Sequence, residues 1–155
     1  MIKIVFILFL LLSNVCLSAV TSSDSSSKID TADQIRILYQ KAENYIDEKN
    51  FQKSLKVLKT LIKREDLSGL RADIYNLLGY SYRKLQKPDL DKSFAAYMMA
   101  LEIDPKHLGA HEYLGELYLM MNNKNKAIEM LKALESLTGT SSEEYLDLKK
   151  AIDQF

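Results

Sequence analysis

The sequence predicts an all-α chain folded as a short solenoid of helix-turn-helix units, and three observations predict it. Tyr75, Leu78, Gly79 and Tyr82 fall at i, i+3, i+4 and i+7; His111, Leu114, Gly115 and Tyr118 repeat those steps, and Leu38, Ala42 and Tyr45 keep three of the four. That spacing puts each set on one helical face, with glycine or alanine where a neighbouring helix must come close. Each set is followed by a second helix carrying a small, a large and another apolar residue at i, i+4, i+7: Ser54, Leu58, Leu61; Ser93, Tyr97, Ala100; and Ala127, Leu131, Leu134. The small positions of the first helices recur at intervals of 37 residues (Ala42 to Gly79) and 36 (Gly79 to Gly115), a period that belongs to stacked helix pairs.

Taken in order, the chain opens on what reads as an export leader, residues 1–19. Lys3 is the basic n-region, Ile4 to Leu12 are an unbroken apolar run, and the small residues that follow allow cleavage after Ser18 or Ala19. The alternative is an uncleaved anchor, although Ser13 and Asn14 interrupt the apolar run. Cys16 follows Val15, a poor context for lipidation, and cleavage removes this sole cysteine. Residues 20–30 are Ser-rich and read as a flexible tether, and the domain is expected over 31–155. Thr31-x-x-Gln34 reads as a capping box at its start. Helices are expected near 31–48, 51–63, 70–86, 90–103, 106–121, 124–137 and 142–155. Asn122 and Asn123 suit the turn inside the last pair because asparagine tolerates a left-handed backbone. Lys87-Pro88-Asp89 makes the corresponding middle turn two residues longer. Ser141-x-x-Glu144 reads as the capping box of the final helix, whose stripe of Tyr145, Leu148, Ile152 and Phe155 faces away from Asp147, Lys149, Lys150 and Asp153. Such a helix closes the end of a repeat stack against water.

At these residues the chain resembles the tetratricopeptide repeat family, whose first helix follows W-x2-L-G-x2-Y and whose second follows A-x3-F before a closing proline. YNLLGYSY followed by SFAAYMMALEIDP is the best match, and HEYLGELY followed by AIEMLKAL is nearly as good. In the first unit Lys41 stands for the leucine, Ala42 for the glycine, and no proline closes it. The resemblance implies a short right-handed tetratricopeptide solenoid of about three repeats, near 35–66, 72–105 and 108–139, with a capping helix at 142–155. HLGAHEYLGELYLM followed by EEYLDLKKAI also resembles a group of small exported bacterial repeat proteins. Members of that group tend to carry two cysteines where this chain has Thr138 and Ser142, so a disulfide is not implied here.

The composition narrows the function. The chain has 155 residues, 47% of them apolar, and zero formal charge, which suits one helical domain and supplies no basic face for nucleic acid. Removing the leader leaves the remainder near −1. No G-x-S-x-G or phosphate-cradling glycine loop is present, and without Cys16 no thiol remains to pair with histidine, so the chain does not read as an enzyme. No cofactor is implied.

In the family that it resembles, the first helices line a concave surface that receives a partner segment. The corresponding positions are Tyr39, Glu43 and Ile46; Asn76, Tyr80 and Arg83; and Glu112, Glu116 and Leu119. Tyrosines offer broad apolar contact with a polar tip, and carboxylates can hold Lys or Arg of a peptide; an ordinary solvated face is the alternative. The family's carboxylate clamp for chaperone C-termini needs Lys, Arg and Asn where this chain has Tyr39, Glu43, Leu77, Gly109 and Tyr113, and is not supported. His107 and His111, four apart on a predicted helix, could ligate a metal, but His111 stands at a packing position of the repeat. Met98, Met99, Met120, Met121 and Met130 suit a soft metal, though methionine more often fills helical interfaces.

The expected function is an exported adaptor or assembly factor, in a bacterial periplasm, that binds a peptide or protein segment in its groove. The competing class is a small-ligand or metal carrier using His107 and His111. Membrane contact is expected only through an uncleaved leader. N-terminal sequencing of the exported protein should begin close to Val20; recovery of an intact Met1 in membranes would favour the anchor instead.

Overall fold

The computed structural model describes residues 23–67 and 69–155, with side chains from residue 31 onward. Among them are seven α-helices and no strand: α1 (Ser23–Asp47), α2 (Phe51–Leu61), α3 (Arg71–Arg83), α4 (Leu90–Ile103), α5 (Leu108–Met120), α6 (Lys124–Thr138) and α7 (Glu143–Gln154). Helices α1 and α2, α3 and α4, and α5 and α6 form antiparallel pairs, and α7 lies across α5 and α6 as the lid. The first helices also touch one another, α1 to α3 and α3 to α5, whereas α2, α4 and α6 make no comparable contact with each other. The stack therefore bends toward the first-helix row, and the concave side is theirs.

Turn chemistry repeats from pair to pair. Asn50, Asp89 and Asn123 cap α2, α4 and α6, each side chain accepting from the backbone N–H three residues on, at Lys53, Lys92 and Lys126. The backbone N–H of each cap donates in turn to the carbonyl of Tyr45 (2.7 Å), Tyr82 (3.2 Å) or Tyr118 (2.7 Å). These tyrosines are therefore equivalent, in the register read from sequence, and the middle turn is two residues longer. Asn122 has the expected left-handed φ of 58°; its counterpart Lys49 has φ 57°, a position costlier for lysine.

Two predicted helix starts are displaced. Helix α1 begins at Ser23, so Thr31 lies inside it and cannot be an N-cap, and most of the stretch expected as a tether is helical. Extending an existing helix needs no new nucleation. The leader and residues 20–22 lie outside the described residues. At the other end Ser142, not Ser141, caps α7: its backbone is extended and its hydroxyl accepts from the Tyr145 N–H at 3.3 Å. Gly139 turns the chain at φ 75°. The Thr138 hydroxyl then donates to Ser142 Oγ at 3.0 Å, holding that serine where the cap is needed.

The small residues set how near the helices come. Ala42, Ser54, Ser93 and Ala127 are fully buried. The Ser93 hydroxyl donates to the Gly79 carbonyl at 2.8 Å, and the Ser81 hydroxyl reaches Ser54 at 3.3 Å. A Cβ on Gly79 would stand 2.5 Å from the Tyr97 ring, and one on Gly115 would stand 2.5 Å from Leu148 of α7. Gly115 thus makes room for the lid. Leu at either position should overpack and cost about 1–3 kcal/mol. For Ala, Gly79→Ala should lower the melting temperature more than Gly115→Ala, because a buried ring must move in one case and a flexible leucine tip in the other. Thermal melts of the four variants check both statements.

Candidate functional site

On the concave row the chain brings most of the expected groove residues into one connected cluster. Arg83, near the end of α3, is 4% exposed and pairs through Nη1 with Glu116 of α5. Its guanidinium also lies 5.5 Å from the Tyr80 ring centre and 5.4 Å from that of Tyr113, and the two rings are themselves 5.1 Å apart. Such contacts are favourable because the ring faces carry negative charge. Phe51 packs on Tyr80 at 6.2 Å and fully buried Tyr97 on Tyr113 at 6.2 Å, so the aromatic wall is supported from α2 and α4.

Burial decides what each group can do. The Tyr97 hydroxyl lies beside Arg83, but neither it nor Arg83 Nε and Nη2 finds a hydrogen-bond partner among the described residues. Burial opposes the charge on Arg83, yet the Tyr97 hydroxyl and the Glu116 carboxylate more than offset it and raise the guanidinium's pKa. Burial also raises the Tyr97 phenol and pushes Tyr113 up to about 12, with help from Glu112. Arg83 is consequently a fixed internal strut, not a free cation awaiting a partner. Replacing Glu116 would strand a buried charge, a loss of about 3–5 kcal/mol for a fully buried pair and less here because Glu116 is part-exposed.

Glu112 is 8% exposed. Burial raises its carboxyl to about 8, followed by repulsion from Glu116, Asp147 and Glu144, with Arg83 acting weakly the other way. Burial and the neighbouring acids therefore favour its protonated form. Asn76, 7% exposed, is spent on packing: its amide lies 3.1 Å from where a Cβ on Gly109 would be.

Tyr39 and Glu43 stand apart from this cluster. The Tyr39 hydroxyl lies against the Glu43 carboxylate, and burial, then Glu43, then Asp73, raises the phenol. Burial likewise raises Glu43, against the lowering contact with Tyr39. With Ile35, Arg36 and Leu70 they line a shallow depression of about 390 Å³. Of the seven groove positions, then, Tyr39, Glu43, Tyr80 and Glu116 are half-buried, while Asn76, Arg83 and Glu112 are buried. Sequence reasoning missed Tyr113 as part of the wall; it stands beside Glu112 and one turn after Gly109, a place considered only for a clamp.

The histidines are otherwise engaged. His107 caps α5, with Nδ1 accepting from the Ala110 N–H at 3.1 Å and Nε2–H facing Asp73 at 3.2 Å. His111 donates from Nε2 to the Pro105 carbonyl at 2.9 Å. Three of the four ring nitrogens are thus committed, which removes the geometric basis for a shared metal. Among the described residues no group of three His, Cys, Asp or Glu is placed to hold one.

Paired helices with a self-contacting first row and a lid on the last pair define a tetratricopeptide-repeat solenoid. Two tetratricopeptide repeat profiles match, at residues 72–107 and 96–129; the first pair lies outside both. Among curated relatives, human protein O-mannosyl-transferase TMTC2 is 28% identical over 99 residues, 63% of this chain and 12% of that protein. Tetratricopeptide repeat protein 37 of Xenopus laevis is 30% identical over 92 residues, 59% of this chain and 6% of that protein. The chain thus spans a small fraction of these relatives' length. Two solved structures share the fold. The Yersinia enterocolitica type III secretion chaperone SycD in complex with a peptide of the translocator YopD has a TM-score of 0.64 at 18% identity, covering 79% of this chain and 88% of that one. The TPR2B domain of yeast Sti1 in its pHsp70 complex has 0.63 at 20% identity, covering 79% and 96%.

The Glu112 carboxyl makes folding pH-dependent with a definite sign. Its folded pKa lies above the ordinary glutamate value of 4.5, so its contribution is fully present below that value and is lost as pH rises toward about 8. Glu112→Gln should therefore raise the melting temperature relative to wild type above pH 8, with the difference shrinking toward acid pH. Melts across that range check it.

Proposed function

We propose that this chain is an exported adaptor or assembly factor whose concave first-helix surface binds a peptide or protein segment. The observation that carries the reading is the tyrosine wall of Tyr80 and Tyr113, half-buried on the concave row and held by a guanidinium that is itself paired to Glu116. A rigid aromatic surface of this kind loses little side-chain freedom on binding and suits an extended segment. Support also comes from SycD and the Sti1 TPR2B domain, which share the fold and are in complex with a YopD peptide and with pHsp70 respectively. The export proposal rests on the apolar leader and the small residues after it; the periplasmic address is proposed on the resemblance to small exported repeat proteins alone.

Within this proposal Tyr80 is a contact residue, Tyr39 and Glu43 extend the surface toward the N-terminal end, and Arg83 and Asn76 position their neighbours. Crosslinking in native envelopes followed by pull-down identifies the segment. Tyr80→Ala should then weaken its binding by about 1–2 kcal/mol while the domain stays folded by circular dichroism. His107→Ala should lower stability, since it removes a helix cap worth about 1 kcal/mol, and leave affinity unchanged. Full affinity in Tyr80→Ala together with loss in His107→Ala would move the site to the histidines.

A further inference from the structure

We propose that the N-terminal end of the stack is a second docking surface, separate from the concave groove, that seats an amphipathic helix of a partner protein carrying aspartate or glutamate beside its apolar stripe.

The chain itself shows what such a seat holds. Leu38, Lys41 and Tyr45 of α1 and Lys53, Lys56 and Val57 of α2 line a depression of about 400 Å³. The same places in the second pair, 37 residues on in the first helix and 39 in the second, are Tyr75, Leu78 and Tyr82 with Lys92, Ala95 and Ala96. There a helix of the preceding pair lies against them: Ile62, at the end of α2, lines the same depression, and Lys59 stands 5.2 Å from the Tyr82 ring centre. In the third pair the corresponding Leu114, Tyr118 and Met130 pack in one cluster with Leu101 of α4. The correspondence extends to detail, since Lys53 lies 5.4 Å from the Tyr45 ring centre and Lys92 5.7 Å from that of Tyr82. The second and third seats thus take a helix. On the first no helix stacks among the described residues, because α1 and α2 meet only each other and α3.

The residues of the open seat decide the chemistry of its occupant. Lys41 stands where the second pair has Leu78, Lys56 where it has Ala95, and Thr60 where it has Met99. Leu38, Tyr45 and Val57 remain as a half-buried apolar floor, and Lys41, Lys53 and Lys56 are exposed around it. No carboxylate lines the depression, and none of the ion pairs among the described residues includes these three lysines. The apolar stripe of a helix fits the floor. Carboxylates beside that stripe meet the lysines, which fixes register and selects against basic helices.

Other occupants match less well. Residues 1–22 contain no carboxylate, so the chain's own beginning lacks the complementary charge. A second copy would offer α7 from the far end of its stack; that helix exposes Leu146, but Lys149 and Lys150 stand among its acids.

The test is selection of a display library of amphipathic helical peptides, with acidic, basic and neutral residues randomised at the polar positions, on the immobilised protein. Wild type, Lys41→Glu, Lys56→Glu and Tyr80→Ala are compared, each checked for folding by circular dichroism. Wild type should enrich helices with Asp or Glu flanking the apolar stripe. Their affinity should fall about tenfold on either lysine reversal and weaken as salt is raised, as charges on an exposed rim require. Tyr80→Ala should leave it unchanged, which keeps this surface distinct from the groove. No binders, or binders that are basic or indifferent to both lysines, overturn the seat. Acidic binders lost on Tyr80→Ala belong to the groove and overturn it as well. Sedimentation of the protein alone gives the last arm: self-association abolished by Lys41→Glu makes a second copy the occupant and overturns the partner helix.

Discussion

The architecture depends on how closely helices can approach where a side chain is missing. Gly79 lets the Tyr97 ring lie on the backbone of α3, and the Ser93 hydroxyl fixes the same spot by bonding to the Gly79 carbonyl. That contact seats Tyr97 behind Tyr113, so the aromatic wall of the groove is positioned by a glycine on the neighbouring helix. The first-helix row can also touch itself only because each helix sits tightly on its own partner. Core packing and groove geometry are therefore one constraint, and a change at the glycine reaches the binding face without touching it.

Much of the fold was legible in the sequence because period and turn chemistry agree. Tyr45, Tyr82 and Tyr118 recur in step, and in the structure each offers its carbonyl to the cap of the following helix. The first pair was the least clear, since Lys41 and Ala42 depart from the repeat pattern, yet Ala42 is as buried as a glycine position requires. Helix starts were less legible. Threonine or serine followed three residues later by Gln or Glu signals a cap only if the backbone there is extended, and at Thr31 a longer helix overrode that local preference. At the last helix two adjacent serines competed, and a hydroxyl from the preceding helix selected Ser142.

The site was legible by position and not by burial. Helical spacing put Arg83, Glu112 and Glu116 on the concave row, but spacing cannot say that Arg83 is buried against two rings or that Glu112 sits among other acids. The second property comes in part from α7, whose Glu144 and Asp147 lie more than 25 residues further along the chain. A carboxyl on one repeat thus feels acids that a later helix brings up to it. Sequence gives no local sign of that.

The Thr138–Ser142 contact bears on how firmly that lid is fastened. Two hydroxyls share one hydrogen bond there, which contributes about 1 kcal/mol where a covalent bridge typically contributes about 2–4. Helix α7 packs on α5 and α6 alone, so a local opening of it leaves the preceding pairs stacked. Such an opening would carry Glu144 and Asp147 away from Glu112 and expose the Leu148 seat on Gly115. The end of the stack would then act as a reversible latch, with the acidity of the groove set by whether the latch is shut.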